Sequence, residues 1–136
     1  MKRSATANWQ GTGKEGKGKL STDSGVLKDT QYSFGSRFEE GIGTNPEELV
    51  AAAHSGCFTM KLSFNISGAG FTPGNIDTKA TVTFVNGEIP NIHLSVKASV
   101  PGLEKEKFDE LVLDAKQNCP ISKLLNTDIT YDAELV

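Results

Sequence analysis

Cys57 and Cys119 are the only two cysteines in this chain of 136 residues, and they stand 62 positions apart. That separation excludes a C-x-x-C redox or zinc motif, so only tertiary structure can join them. A thiolate is a nucleophile, whereas a buried thiol is simply a small hydrophobe. Cys57 lies in the run "GTNPEELVAAAHSGCF", residues 43 to 58, among small apolar residues that suit a core role equally well. Cys119 stands directly before Pro120, which suits the first position of a short helix "PISKLL". Its sulfur would then face orphan N–H groups at the positive end of that helix, a setting that favours thiol chemistry. A plain core role stays open there too.

Three further residues bear on the thiols. In "SFGSRFEEG", Arg37 places a permanent cation among aromatic residues just before the apolar helix. A buried guanidinium needs an anionic partner, and near Cys57 it would stabilise the thiolate; a surface arginine in a polar turn is the alternative. His54 stands three residues before Cys57 on one helical face, but the neighbouring alanines and Phe58 offer no polar group to orient an imidazole as a thiol hydrolase requires. His93 reads as an ordinary strand residue. His54, Cys57 and Cys119 make at most three metal ligands, too few for a structural zinc site.

The elements that must position these groups follow from periodicity and punctuation. Up to Phe38 the chain reads as an antiparallel meander, with strands in "ATANW", "KGKLS" and "QYSFGSRF" separated by Gly11, Gly13, Gly16 and Gly25. Asn45 is a suitable N-cap, Pro46 suits the first turn, and Glu48 stands at the capping-box position. A helix over about residues 46–66 follows, apolar over most of its circumference and so expected to be buried on more than one side, with Gly68 and Gly70 ending it. Ile76, Thr78, Ala80, Val82 and Phe84 alternate, as do Ile92, Leu94, Val96, Ala98 and Val100. Asn86-Gly87 lies between the two runs, which gives a hairpin expected to carry a loop longer than two residues. Phe108, Leu111, Val112 and Ala115 recur at helical spacing opposite charges, and "DITYDAEL" alternates as a last strand. The order β-β-β-α-β-β-α-α-β defines an α+β protein, expected as one domain over residues 1–136.

Composition narrows the function classes. The formal net charge of -3 comes from interspersed signs, so no footprint for nucleic acid or an anionic membrane is visible, and Lys14, Lys17 and Lys19 read as a solvated loop and strand edge. The segment "MKRSATANWQ" has no apolar signal region and no long apolar run occurs elsewhere, which leads to the expectation of a cytoplasmic protein.

"GTNPEELVAAAHSGCF", "GFTP" followed by "IDTKATV", "VPGLEKEKFDELVLDAKQNCPISKLL" and "DITYDAEL" together resemble the osmotically inducible protein C (OsmC) branch of the OsmC and organic hydroperoxide resistance (Ohr) superfamily, over nearly the whole chain. The arginine in "SRFEEG" favours that branch, since in the Ohr branch it lies nearer the N-terminus. The resemblance implies antiparallel sheets around a long buried central helix, in an intertwined homodimer with active sites at the subunit interface. It implies a peroxidase of oxidative and osmotic stress defence, without metal or organic cofactor, that reduces organic hydroperoxides and hydrogen peroxide. Carried over by position, Cys57 is the peroxidatic cysteine, Cys119 the resolving cysteine, Arg37 the activating arginine and Glu47 the carboxylate that orients it. Cys57 sulfenic acid would be trapped by Cys119 as a disulfide and reset by a dithiol reductant, lipoyl-type or another small dithiol. Phe58, Met60, Phe34, Phe38 and Ile42 are candidates for an apolar mouth. A Cys-His thiol hydrolase and a dimeric apolar-ligand carrier with structural cysteines are the alternatives.

Helix geometry adds a constraint on that assignment. Glu47 and Cys57, ten residues apart on one helix, are separated by about 15 Å along its axis and cannot meet within a chain. In a two-fold dimer with antiparallel equivalent helices they approach if the crossing falls near residue 52, where Ala51, Ala52 and Ala53 permit close contact.

Overall fold

The glycine-punctuated N-terminal segment folds into β1 (Ala5–Gln10), β2 (Lys17–Thr22) and β3 (Thr30–Tyr32), an antiparallel sheet in the order β1-β2-β3. The computed structural model describes residues 1–136, which divide into two units, Met1–Leu49 and Val50–Val136. In the first unit Gly18 pairs with Trp9 on one side and Tyr32 on the other. A Cβ there would fall 2.4 Å from the Tyr32 ring and 2.6 Å from that of Trp9, so the missing side chain is what lets the two rings close over the strand.

The strand expected through "QYSFGSRF" stops at Tyr32. Ser33 caps a short helix, α1 (Phe34–Phe38): its hydroxyl accepts from the Ser36 N–H at 3.2 Å, and the Ser36 hydroxyl accepts from the Ser33 N–H at 2.8 Å. This is a capping box built from two serines in place of the usual Ser-x-x-Glu, so the common signature is absent from the sequence.

Helix α2 (Pro46–Gly68) begins in the first unit and continues through the second. Asn45 caps it as expected, its Oδ1 accepting from the Glu48 N–H at 2.7 Å. The Glu48 carboxylate takes the Thr44 hydroxyl instead of returning to the cap, so only half of the expected capping box forms. His54, Phe58, Leu62 and Ile66, four apart, make the buried stripe, while Ala52, Ala53, Gly56, Met60 and Phe64 are exposed. A single chain thus buries one face of this helix and leaves a second apolar face open, where burial on more than one side was expected.

In the second unit β4 (Ile76–Val85) and β5 (Glu88–Ala98) form the hairpin, followed by α3 (Lys105–Asn118), α4 (Pro120–Leu124) and β6 (Asp128–Leu135). The hairpin turn has only two residues, Asn86 (φ 51) and Gly87 (φ 79), both left-handed, contrary to the longer loop expected. A register shift between Thr83 and Val85 absorbs the mismatch between the alternating runs. Strand β6 pairs with β5 in parallel, because the α3–α4 crossover returns the chain to the same end of the sheet. The second sheet is therefore mixed, not wholly antiparallel, in the order β4-β5-β6. One core gathers Phe58, Leu62 and Ile66 of α2, Leu94, Val96 and Ala98 of β5, Phe108, Leu111, Val112 and Ala115 of α3, and Cys119. Fully burying a side chain the size of Phe58 or Phe108 is worth about 1.5–3 kcal/mol. No helix is long and apolar enough to cross a membrane.

Candidate active site

The first unit supplies a guanidinium–carboxylate pair. Arg37, in the last turn of α1, donates from Nε and Nη2 to Glu47 in the first turn of α2, with Nη2 to Oε1 at 2.5 Å. The Asn45 side-chain amide fixes the approach of the two helices by donating to the Ser36 carbonyl at 3.1 Å. The Glu47 hydrogen bond raises the Arg37 pKa. Burial pushes the Glu47 carboxyl up, but hydrogen bonding to Arg37 and to its own backbone, with the guanidinium charge, holds it below the usual carboxylate range. Both partners therefore stay charged near neutrality. The choice of Glu47 over Glu48 as the arginine's partner agrees with this geometry, since Glu48 is engaged by Thr44.

The apolar surroundings of this pair differ in part from expectation. The Phe34 and Phe38 rings lie 4.9 Å apart, and the Arg37 guanidinium carbon stands 4.9 Å from the Phe38 ring. Phe38 and Ile42 are exposed. Phe58 cannot line a mouth, because it is 0% exposed at the centre of the core. Its place in the buried four-residue stripe of α2 decides this.

The second unit holds both thiols, unbonded to one another. Cys57 is half-buried and packs against the core that contains fully buried Cys119. Burial pushes the Cys57 thiol above its ordinary pKa, hydrogen bonding from the Ile121 backbone N–H pulls it down, and neighbouring Cys119 pushes it up again. Cys119 caps α4 as the sequence suggested, its Sγ accepting from the Ser122 N–H at 3.3 Å.

His54 does not serve Cys57. Its Nε2 lies 2.7 Å from Ser122 Oγ, and Ser122 Oγ lies 3.1 Å from Cys119 Sγ, which makes a buried chain His54–Ser122–Cys119. His54 Nδ1 is buried without a partner, and burial holds the imidazole below its ordinary pKa. The orienting third group of a thiol hydrolase is thus missing from His54. Ser122 is the polar residue that sequence reasoning left unassigned. It was legible as the N3 position of a helix capped by Cys119, where a side chain turns back toward the cap. His93 is a strand residue as expected, bridging β5 to β6 through Thr130 at 2.7 Å and Asp132 at 2.6 Å.

The comparisons with known proteins bear on the family. Residues 39–134 match the family described as OsmC-like protein. The chain is 46% identical over 133 residues to "Peroxiredoxin OsmC" of Escherichia coli (strain K12), covering 95% of this chain and 93% of that protein. Among solved structures, the organic hydroperoxide resistance protein OhrB of Bacillus subtilis superposes with a TM-score of 0.68 at 25% identity, covering 98% of each chain. An OsmC-like protein from Mycoplasma pneumoniae superposes with a TM-score of 0.77 at 14% identity, covering 100% of this chain and 98% of the other, a likeness of fold alone. Fold, family match and identity along nearly the full length lead to one conclusion: the chain belongs to the OsmC-like protein family.

Proposed function

We propose that this protein is a thiol-dependent peroxidase that reduces organic hydroperoxides, and hydrogen peroxide, through Cys57 and Cys119. The observation that carries the reading is the pairing of a half-buried thiol with a fully buried one in a single core, both free. The 46% identity to a protein named peroxiredoxin supports the enzyme class, and the Ohr relatives support a role in peroxide defence.

The Cys57 thiolate attacks the distal oxygen of the hydroperoxide. The O–O bond breaks, the alcohol leaves after taking a proton, and Cys57 becomes a sulfenic acid. Cys119 displaces the sulfenic oxygen as water and forms the disulfide. A dithiol, of lipoyl or similar small type, reduces that disulfide by exchange.

Burial within one chain works against the Cys57 thiolate, so a cation must be brought to it. Arg37 is bound to Glu47, and Glu47 lies about 15 Å along α2 from Cys57. A two-fold dimer with antiparallel α2 helices meets the need, because Arg37–Glu47 of one subunit then reaches Cys57 of the other. The exposed small residues Ala52, Ala53 and Gly56 support a close crossing there, and exposed Met60 and Phe64 continue the same apolar face. In such a homodimer residues 1–136 act as one domain per chain, with each active site shared. A crystal structure with these helices parallel, or far apart, would end this reading.

The test is anaerobic mixing of pre-reduced protein with cumene hydroperoxide or hydrogen peroxide, with thiols counted before and after. The expected result is loss of both thiols with about one peroxide consumed per chain, and turnover once dihydrolipoamide is added. Survival of both thiols in excess peroxide would overturn the peroxidase and leave a dimeric carrier of apolar ligands.

A further inference from the structure

The chain His54–Ser122–Cys119 has no role in the steps above, yet all three residues are buried and in hydrogen-bond contact at 2.7 and 3.1 Å. We propose that Ser122 is a further catalytic residue of the second half-reaction, its hydroxyl and backbone N–H together holding the charge on Cys119 sulfur as it attacks, with His54 as the residue that positions the hydroxyl. The inference rests on the peroxidase reading.

The argument comes from placing the hydrogens. His54 Nδ1 is buried without a partner, so a proton there would be an orphaned N–H, a rare and costly state, whereas an unmatched lone pair is the lesser loss. The ring proton therefore belongs on Nε2, where it is donated to Ser122 Oγ. Burial, which holds the imidazole below its ordinary pKa, keeps it in this neutral form. With Cys119 as a thiol, its S–H and the His54 Nε2–H both point at Ser122 Oγ, and the serine's own proton has no acceptor in the chain. Once Cys119 has lost its proton the hydroxyl turns and donates to sulfur. The Ser122 N–H already points there at 3.3 Å. Every hydrogen in the chain then has an acceptor. Two donors aimed at the atom that develops charge resemble an oxyanion hole in their physics, with sulfur in place of oxygen.

The step balances. Cys119 gives up its proton and its sulfur forms a bond to Cys57 sulfur, while the S–O bond of the sulfenic acid breaks. The electron pair of that bond leaves with the oxygen, which takes up one proton and departs as water. Cys119 sulfur is oxidised by one unit and Cys57 sulfur reduced by one. The order of charges is also consistent: once Cys57 is a neutral sulfenic acid, the neighbouring Cys119 sulfur develops its charge beside no second thiolate.

The measurement is a single turnover with one equivalent of cumene hydroperoxide, following sulfenic acid formation by dimedone trapping and disulfide formation by thiol loss. In Ser122→Ala the ratio of the second rate to the first should fall about 10- to 100-fold, less than for loss of one oxyanion-hole donor because sulfur accepts hydrogen bonds more weakly than oxygen. Ser122→Thr, which keeps the hydroxyl, should restore the ratio. His54→Leu should lower it and His54→Gln, which keeps a donor near the Nε2 position, should restore it. A merely structural role would lower both rates together or leave the ratio untouched, and either result in Ser122→Ala overturns the proposal. Ser122→Ala removes a single oxygen and leaves the capping N–H, so it carries the test if a His54 variant does not fold. Oxidation of Cys57 in the unaltered protein with an unchanged ratio in Ser122→Ala defeats this inference alone; no oxidation of Cys57 at all defeats the peroxidase reading and this inference with it.

Discussion

Shared active sites can be tested by complementation between two inactive chains. Cys57→Ser keeps the Arg37–Glu47 pair but has no nucleophile; Arg37→Ala keeps the nucleophile but leaves Glu47 without its cation. Loss of a charged group that stabilises developing charge lowers rate by about 100- to 1000-fold, so each homodimer alone should retain about 1% of activity or less. If Cys57 of one subunit is served by Arg37 of the other, a mixed dimer contains one complete site and one site lacking both groups. Random assembly from equal amounts makes about half the dimers mixed, so about a quarter of all sites are complete. Coexpressed or co-refolded chains should therefore recover about 25% of normal turnover with cumene hydroperoxide and dihydrolipoamide, well above either parent. The structural basis is the ten-residue separation on the continuous helix α2, equivalent to about 15 Å, against direct contact of Arg37 with Glu47. Activity of the mixture no greater than the parental background would refute the shared site, since sites made within single chains gain nothing from mixing.

Two further outcomes concern stability. Phe58→Ala, at a position with 0% exposure in the core, should lower unfolding free energy by about 3–5 kcal/mol, read as an earlier midpoint in urea with an unchanged slope. The Glu47 carboxyl is held below its ordinary value near 4.5, so its ion pair adds stability above that pH and loses it as acid protonates the folded carboxyl. Because the Arg37 side chain is 34% exposed, solvent screening limits the effect to about 1 kcal/mol. Thermal unfolding of the unaltered chain should weaken below pH 4.5 more steeply than that of Glu47→Gln, and parallel curves would remove Glu47 as the source.

Local signals carried most of the fold. Alternation located β4, β5 and β6, the helical spacing of Phe108, Leu111, Val112 and Ala115 located the buried face of α3, and Asn45-Pro46 marked the start of α2 correctly. What escaped depended on partners remote in sequence or on uncommon capping. The Ser33–Ser36 box lacks the usual acidic residue, so the sequence predicts strand where α1 forms. The parallel pairing of β6 leaves no mark in its own alternation. At the site, the structure pairs Arg37 with Glu47, ten positions apart. The partner of His54 lies 68 positions away at Ser122, beyond any local periodicity. Phe58 belongs to the core and not to a mouth, a distinction that an aromatic beside a cysteine leaves open until the helix's inward face is known.

The parallel β5–β6 pairing has a kinetic consequence. His93 aligns with Thr130 across a crossover that contains all of α3 and α4, whereas the β4–β5 hairpin closes through two residues. Loop-closure entropy makes the hairpin the early event and the parallel pairing the late one. Cys119 and Ser122 travel within that crossover, so under the proposed mechanism the resolving thiol reaches its place only in the last stage of refolding. Chains caught before that stage carry a Cys57 with no resolving neighbour, and oxidant present during folding would carry that sulfur past sulfenic acid to the irreversible sulfinic and sulfonic forms. Under the proposed mechanism, the topology of one strand would thus leave the nascent protein more vulnerable to peroxide than the finished one.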